Sequence, residues 1–375
     1  MRAQSETPRS RPTLNEVAAA AGVSRATAAR ALGEYGYVHS ATRANVREAA
    51  ERLGNRPHRI ARSMVTGRTQ TIGFVGADME NPFFGRTMAG ILDVARSGGY
   101  EVIITNTQED PELERRAVRV LHERQVDGVI FTPAQFGDAS QLRRLADEGV
   151  PIVLVDRSIR GLAADAVLID NVRAARSGVV RLIELGHARI GLITNDLGGD
   201  PVARLRETAL DPTHASTGAA RGVGYLAALQ GAGLPIDPAL IAPTARFTRE
   251  AAAEAAGRLL GLRVRPTAIL TVDNVLTLGA FEAIQRSGLE FPEQISLLGF
   301  DDLDWTTIVR PTLSVIAQPG YDIGATAARR LLARLDHEDS PGQVLFLDTE
   351  LIERESTTNA PNTVVPTPTT RRRTR

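Results

Sequence analysis

The stretch TLNEVAAAAGVSRATAARALG, residues 13–33, sets Arg25, Ala26 and Arg30 on the outer side of a short segment whose other positions are mostly alanine. Arginines on one face of a helix can meet base edges and phosphates in a DNA major groove. A second concentration of reactive groups is FDDLDW, where Asp301, Asp302 and Asp304 could act as a carboxylate cluster, although a turn at a chain crossing is the plainer reading. Other catalytic patterns are missing from the sequence. The glycines of IGFVGAD form neither GxGxxG nor a P-loop, no GxSxG occurs, and the 6 histidines show no HExxH or other ligand spacing. The expectation is a protein with no catalytic residue, metal or cofactor.

The arginine face needs a scaffold, and the surrounding residues supply one. Thr13 and Glu16 are spaced as a capping box, so a helix starts at Leu14 and places Leu14, Val17, Ala18 and Ala21 on one side. Gly22 can end it in the left-handed conformation. Ser24 then caps a second helix from Arg25 to about Leu32, and Ser40 caps a third, with Val46, Ala49, Ala50 and Leu53 as its apolar stripe and Gly54 at its end. Helices this short must share one core. Two joined by a tight turn, with a third packed against them, form the arrangement in which the second helix enters the major groove.

After Pro57 comes a segment, His58 to Val65, able to form one or two helical turns with Ile60 and Met64 on the same side. Alone it reads as a basic linker. Beside a helix-turn-helix it also reads as a hinge that orders on DNA, His58 at its start, Arg59 and Arg62 meeting phosphates and Met64 wedging into the minor groove. Charge agrees with this division: residues 1–68 hold 12 Arg and 5 Glu, a net of +7, although the whole chain is neutral. All 44 basic residues are arginine, which points to coding bias more than to chemistry.

From Thr71 the texture changes to TIGFVGAD, EVIITNT, DGVIFTP and PIVLVDR, buried strands alternating with amphipathic helices at about 84–97, 111–124 and 138–148. Such βα units imply an α/β, doubly wound parallel sheet. The pattern recurs in ARIGLITN, a helix from about Ala219 to Gly231, a strand near Ala239 to Ala242, a helix near 249–261, TAILTVDN and ISLLGFDD. Two lobes whose strand ends face each other leave a ligand cleft between them. The 375 residues suit two or three domains. With 0 cysteines, no apolar leader and no run of 18 apolar residues, the chain is expected to be soluble and cytoplasmic, without membrane contact.

TLNEVAAAAGVS, RPHRIARSM, VLIDN, LGHARIGLIT, RPTAILTVDN and ISLLGFDD, in this order and spacing, resemble the lactose/galactose repressor family of bacterial transcription regulators over residues 12 to about 356. The resemblance implies a homodimer on a pseudo-palindromic operator in double-stranded DNA, with a small-molecule effector between two periplasmic-binding-protein-like lobes. It implies base contacts for Arg25 and Ala26, a base or phosphate contact for Arg30, and a phosphate contact for Thr27. An arginine can pair with guanine O6 and N7, worth about 1–3 kcal/mol of discrimination. Thr13 and Ser24 join the DNA-binding set as helix caps. Ala29 lacks the hydroxyl usual in the family, which shifts phosphate binding toward Arg43, Arg59, Arg9 and Arg11.

For the effector, the resemblance implies that Phe83 or Phe84, in NPFF, stacks on a sugar or base ring. It further implies that Arg221 grips the ligand, that Asp273 accepts from its hydroxyls, and that Phe247 closes the cleft. Asp156 and Asn171 sit at strand ends facing the same cleft, where capping is an equal alternative. Arg204 competes with Arg221, because the stretch 195–216 places Arg221 far downstream; an enlarged loop is the other explanation. The expected division is a disordered basic arm, 1–11; the helix-turn-helix, 12–57; hinge and linker, 58–70; a first lobe of 71–169 plus 300–318; a second of 170–299 plus 319–356; and a disordered tail, 357–375. An enzyme and an exported two-lobed binding protein without a DNA role are the alternatives, the second needing a signal peptide that this sequence lacks.

Overall fold

The computed structural model describes residues 13–33, 36–53, 68–134, 140–195, 197–337 and 340–361. Helix α1 (Leu14–Ala20) begins at the predicted capping box: the Thr13 hydroxyl accepts from the Glu16 amide and the Glu16 carboxylate accepts from the Thr13 amide. Gly22 has φ +65°, the left-handed turn that only glycine adopts without strain. Helix α2 (Arg25–Gly33) is started by Ser24, whose Oγ accepts from the Thr27 amide at 3.1 Å. Helix α3 (Ser40–Arg52) begins one residue earlier than expected. His39, not Ser40, is its cap, because the His39 carbonyl takes the first helical bond, from Arg43 at 3.0 Å. Val17, Ala18, Ala21, Ala28, Ala31, Val46, Ala49 and Ala50 form the shared core, and Asn45 Nδ2 ties α3 to the turn by donating to the Ala21 carbonyl at 2.9 Å.

Two parallel sheets follow. The first contains β1 (Thr71–Gly76), β2 (Glu101–Asn106), β3 (Gly128–Phe131), β4 (Ile152–Val155), β5 (Asp165–Ile169) and β11 (Val344–Leu347), in the order β11-β5-β4-β3-β1-β2. The second contains β6 (Ile190–Asn195), β7 (Ile241–Thr244), β8 (Ala268–Thr271), β9 (Ser296–Phe300), β10 (Ser314–Ala317) and β12 (Glu350–Ile352), in the order β12-β10-β9-β8-β6-β7. Only β12 runs antiparallel to its neighbour among these described strands. The central strands β3, β4, β8 and β9 are buried along their whole length because helices cover both faces, while the edge strands β2 and β11 stay partly exposed.

On the first sheet, α4 (Pro82–Ser97) packs with α13 (Gly320–Leu335), while α5 (Pro111–Glu123) and α6 (Ser140–Asp147) cover the other side. Helices α4 and α13 touch backbone to backbone. A Cβ at Gly90 would collide with the Tyr321 carbonyl, and one at Gly324 with the Thr87 carbonyl. On the second sheet, α7 (Asn171–Glu184) packs with α9 (Thr217–Gly231), and α10 (Arg249–Leu260) with α11 (Asn274–Arg286).

The lobes are divided differently from the expectation. Residues 300–318 do not join the first lobe: β10 pairs in register with β9, Ser314 beside Leu298, in the second sheet. Residues 320–347 do join it. Helix α13 buries Ile323, Ala327, Ala328 and Leu331, and its Arg330 and Arg334 grip the buried Asp165 carboxylate on β5 at 3.1 and 2.9 Å. The apolar pattern identified strands but carried no information about which sheet each enters. The chain therefore crosses between lobes three times, after β5, after β10 and between β11 and β12.

Two boundaries also move. Thr69 and Gln70, expected in the linker, donate their amides to Asp127 at 2.7 and 2.8 Å and so belong to the first lobe. Residues 357–361, expected to be disordered, pack on the second lobe instead. The Thr358 amide donates to Ser296 Oγ at 3.1 Å, its carbonyl accepts from His187 Nε2 at 2.9 Å, and the Ala360 amide donates to the Leu185 carbonyl at 2.8 Å. Burial pushes the His187 imidazole below its usual pKa, which favours the neutral ring these bonds use. The arm 1–11 with Arg9 and Arg11, residue 12, the hinge residues His58, Arg59, Arg62 and Met64, Gly54, and 362–375 lie outside the described residues.

Candidate functional site

Two places gather the predicted residues. On α2, Ala28 and Ala31 turn into the core, so Arg25, Ala26 and Arg30 are left exposed along the opposite side. Thr27 is half-buried, and its hydroxyl shares a 2.9 Å hydrogen bond with that of Ser24. The Thr13 hydroxyl is similarly engaged, donating to Glu16 at 2.9 Å. These two caps hold the helices that present the arginines. Arg43 is half-buried on α3.

The second place is a cleft of about 310 Å³ between the lobes, lined by Phe83, Phe84, Asp156, Arg221, Phe247 and Asp273 among others. Asn81 builds the first wall. Its Oδ1 caps α4 by accepting from the Phe83 amide at 3.0 Å, with Pro82 in the first turn where a missing N–H costs nothing. The helix start thus aims Phe83 and Phe84 at the cleft, their rings meeting edge to face at 5.2 Å. Asp156 ends β4 in the left-handed region at φ 67°, followed by Arg157, which forms a two-point pair with Glu109 at 2.7 and 2.6 Å.

The facing wall centres on Arg221, only 2% exposed. Its Nε donates to Asn171 Oδ1 at 2.8 Å, one terminal nitrogen to the Val272 carbonyl at 2.6 Å and the other to Gln318 Oε1 at 3.1 Å. The guanidinium carbon lies 4.0 Å from the Phe300 ring centroid, a cation–π contact. Asp273 caps α11 by accepting from the Val275 amide at 2.7 Å. Asp301, at φ 69°, accepts from Gln318 Nε2 at 2.7 Å and Asn274 Nδ2 at 3.0 Å. Burial, then the neighbouring Asp301, push the Asp273 carboxyl up to about 7. Burial pulls the Arg221 guanidinium down from its usual pKa, against the opposing fields of Asp301, Asp156 and Asp273. An arginine remains charged under such a shift.

Asn81 also joins the two walls, accepting from Asn274 Nδ2 at 2.8 Å and donating to Asp273 Oδ2 at 3.3 Å. Sequence reasoning missed Asn81, Arg157, Asn274, Asp301 and Gln318 as cleft residues. The Asn-Pro start of α4 was the one local signal available for any of them. Asp301 does occupy a turn, as expected, but its carboxylate reaches the cleft. The acid cluster itself disperses, with Asp302 pairing with Arg354 at 2.7 Å and Asp304 near Arg86 at 3.8 Å. Asn171 holds Arg221 from a neighbouring cavity. Arg204 lines neither space: it pairs with Glu207 at 2.6 Å and donates to the Leu197 carbonyl at 3.1 Å.

Residues 13–58 match the family described as bacterial regulatory proteins, lacI family, and residues 179–357 match the periplasmic binding protein-like domain. The chain is 32% identical over 348 residues to the HTH-type transcriptional regulator DegA of Bacillus subtilis (strain 168), covering 92% of this chain and 98% of that one. It is 34% identical over 352 residues to the HTH-type transcriptional repressor CytR of Escherichia coli (strain K12), covering 93% and 97%. In fold it is similar to the lac repressor dimer bound to operator and the anti-inducer ONPF, with a TM-score of 0.79 over 93% of this chain and 100% of that one, at 24% identity. No helix among the described residues is long and apolar enough to cross a membrane. Matched along nearly its whole length, from the helix-turn-helix through the two-lobed effector-binding core, the chain belongs to the lacI family of bacterial regulatory proteins and is a DNA-binding transcription regulator, not an enzyme.

Proposed function

We propose that this regulator is a cytoplasmic homodimeric repressor whose operator affinity is controlled by a neutral monosaccharide in the lobe cleft. The composition of that cleft carries the reading. Phe83 and Phe84 offer apolar rings to the C–H faces of a sugar, while Asp156, Asp273 and Asp301 accept from hydroxyls and Arg157, Arg221 and Asn81 donate to them. Acids outnumber arginines in the lining, Asp78, Glu109, Asp156, Asp273 and Asp301 against Arg157 and Arg221, so a phosphate or carboxylate is disfavoured. A volume of about 310 Å³ suits a single ring.

A thermal-shift panel of pentoses, hexoses, their phosphate esters, nucleosides and purines tests this. A neutral sugar at a hundred times its Kd stabilises by about 2.7 kcal/mol. A phosphate ester that stabilises as well as its parent sugar, or a panel in which no monosaccharide acts, defeats the proposal.

On DNA, the exposed arginines of α2 support readout of a two-fold related operator, one half-site per protomer. The dimer and operator named for the lac repressor structure support the same assembly. Arg25→Ala is expected to lose about 1–3 kcal/mol of discrimination at one base pair. Arg59→Ala instead weakens all duplexes equally and lowers the salt slope by about one. Anisotropy titrations over a panel of half-site variants separate the two, and preferences left intact by Arg25→Ala would show that α2 is not the reading helix.

A further inference from the structure

One connection differs sharply in length between the two lobes. Strand β1 reaches α4 through a short turn from Gly76 to Pro82, whereas the equivalent path in the second lobe, from Asn195 to Thr217, is long and carries its own helix, α8 (Pro201–Thr208). Helix α8 is anchored on its own lobe. Asp200 caps it, accepting from the Val202 amide at 2.8 Å, and Val202 and Leu205 are buried.

The chain beyond α8 reaches across to the other lobe. A single 3-10 turn, Pro212–His214, meets the first-lobe loop between β4 and β5. Ser158, itself 5% exposed, donates its hydroxyl to the Thr213 carbonyl at 2.8 Å, and the Arg160 guanidinium pairs with Asp211. The other Asp211 oxygen is held by His214 Nδ1 at 2.8 Å, which fixes the carboxylate for Arg160. The segment returns to the cleft at Ser216 and Thr217, both part of its wall. On the way, Pro212, Thr213 and Ala215 roof a separate cavity of about 500 Å³ above the crossing from β5 to α7.

The geometry points to residues 197–216 as a strap that clasps the two lobes from outside the ligand space. Among the other cross-lobe contacts, Arg86 and Asp304 form an exposed ion pair at 3.8 Å, and the bonds from Asn81 to Asp273 and Asn274 lie within the cleft, where ligand hydroxyls compete for the same atoms. Ser158, Arg160 and Asp211 line no part of it. Their bonds persist whether the cleft is empty or filled, so they favour the closed arrangement before any ligand arrives. The ligand then needs less differential affinity to complete closure, and its apparent affinity rises with the closed fraction.

The chain contains 0 cysteines, so a dye pair can be placed without background. Glu80→Cys and Ala245→Cys, exposed residues beside Asn81 and Phe247, put one dye on each rim. Labelled protein diluted into unlabelled protein gives assemblies with a single pair, and single-molecule energy transfer is read with no ligand present. The outcome is therefore independent of which ligand the cleft takes. The parent is expected mainly in the high-transfer state. Arg160→Ala and Ser158→Ala should each lower the closed-to-open ratio about two- to fivefold, and the double variant further. Arg160→Lys, which keeps the charge, should retain most of the closed population. Arg160 is exposed, so its truncation leaves both lobe cores intact. An unchanged ratio in the double variant, or a parent that is already open, overturns the strap.

Discussion

Arg221→Ala is expected to abolish the response to effector and to lower the melting temperature by roughly 10 °C, the effect of about 3–5 kcal/mol on a core of this size. The loss has three sources in the structure. The Val272 carbonyl and the Asn171 and Gln318 side chains each lose a donor, the Phe300 ring loses its cation, and Asp156, Asp273 and Asp301 lose the buried positive charge that offsets them. Arg221→Lys restores charge but not the planar fork. It should recover part of the melting temperature and little of the effector response, since one ammonium cannot reach three partners in three directions. Calorimetry on the three proteins, with and without ligand, measures both effects. An alanine variant that melts with the parent and still binds would remove Arg221 from the site.

Asp273→Asn should change the pH dependence of stability. In the folded chain Asp273 holds its proton to about 7, against an unperturbed value of 3.8. The native state therefore binds the extra proton across that window, and the parent loses stability as pH rises through it. The part due to this half-buried group is about 2 kcal/mol, discounted for solvent screening. Asparagine cannot ionise yet still caps α11, so the variant should match the parent near pH 4 and exceed it at pH 8. His187 acts in the opposite sense, costing stability as pH falls below its unfolded value, but it is present in both proteins and cancels in the difference. Denaturant titrations at pH 4.5, 6 and 8 give that difference, and parallel curves would show that Asp273 is not under strain from burial and Asp301. Asp273→Ala, by contrast, should lose effector response with operator affinity unchanged.

What could be read in advance depended on the distance over which each signal acts. The Thr13–Glu16 box, Gly22 and the Ser24 cap are contacts within a few residues, and each appears where expected; β1–β4 and β6–β9 were legible as apolar runs, whereas the short strands β5, β10, β11 and β12 were not read as strands. Ser40 was displaced by one position because His39 and Ser40 are both polar and the cap is decided by which carbonyl accepts. The Asp200-Pro201 start of α8 carries a helix signal of the same local kind, inside a stretch that the sequence reading left without a helix. The cleft partners were beyond such reasoning. Asn81 meets Asp273 across 192 positions and Arg221 meets Gln318 across 97, pairings created only when the three crossings bring the lobes together. The misassigned stretch 300–318 has the same origin, since strand pattern is independent of sheet membership.

Those three crossings also bear on the order in which the protein can be finished during its synthesis. The three-helix headpiece, residues 13–53, has its whole core as soon as it leaves the ribosome. The first lobe does not. Its sheet lacks β11, one face lacks α13, and Asp165 lacks the arginines that neutralise it, until residues 320–347 have been made. The second lobe waits still longer, for β12 and for residues 357–361 to reach His187 and Leu185. A nascent chain thus carries a completed DNA-reading module while both halves of its sensor remain open, and a ribosome stalled anywhere between the headpiece and β11 would display a reader with no regulation attached.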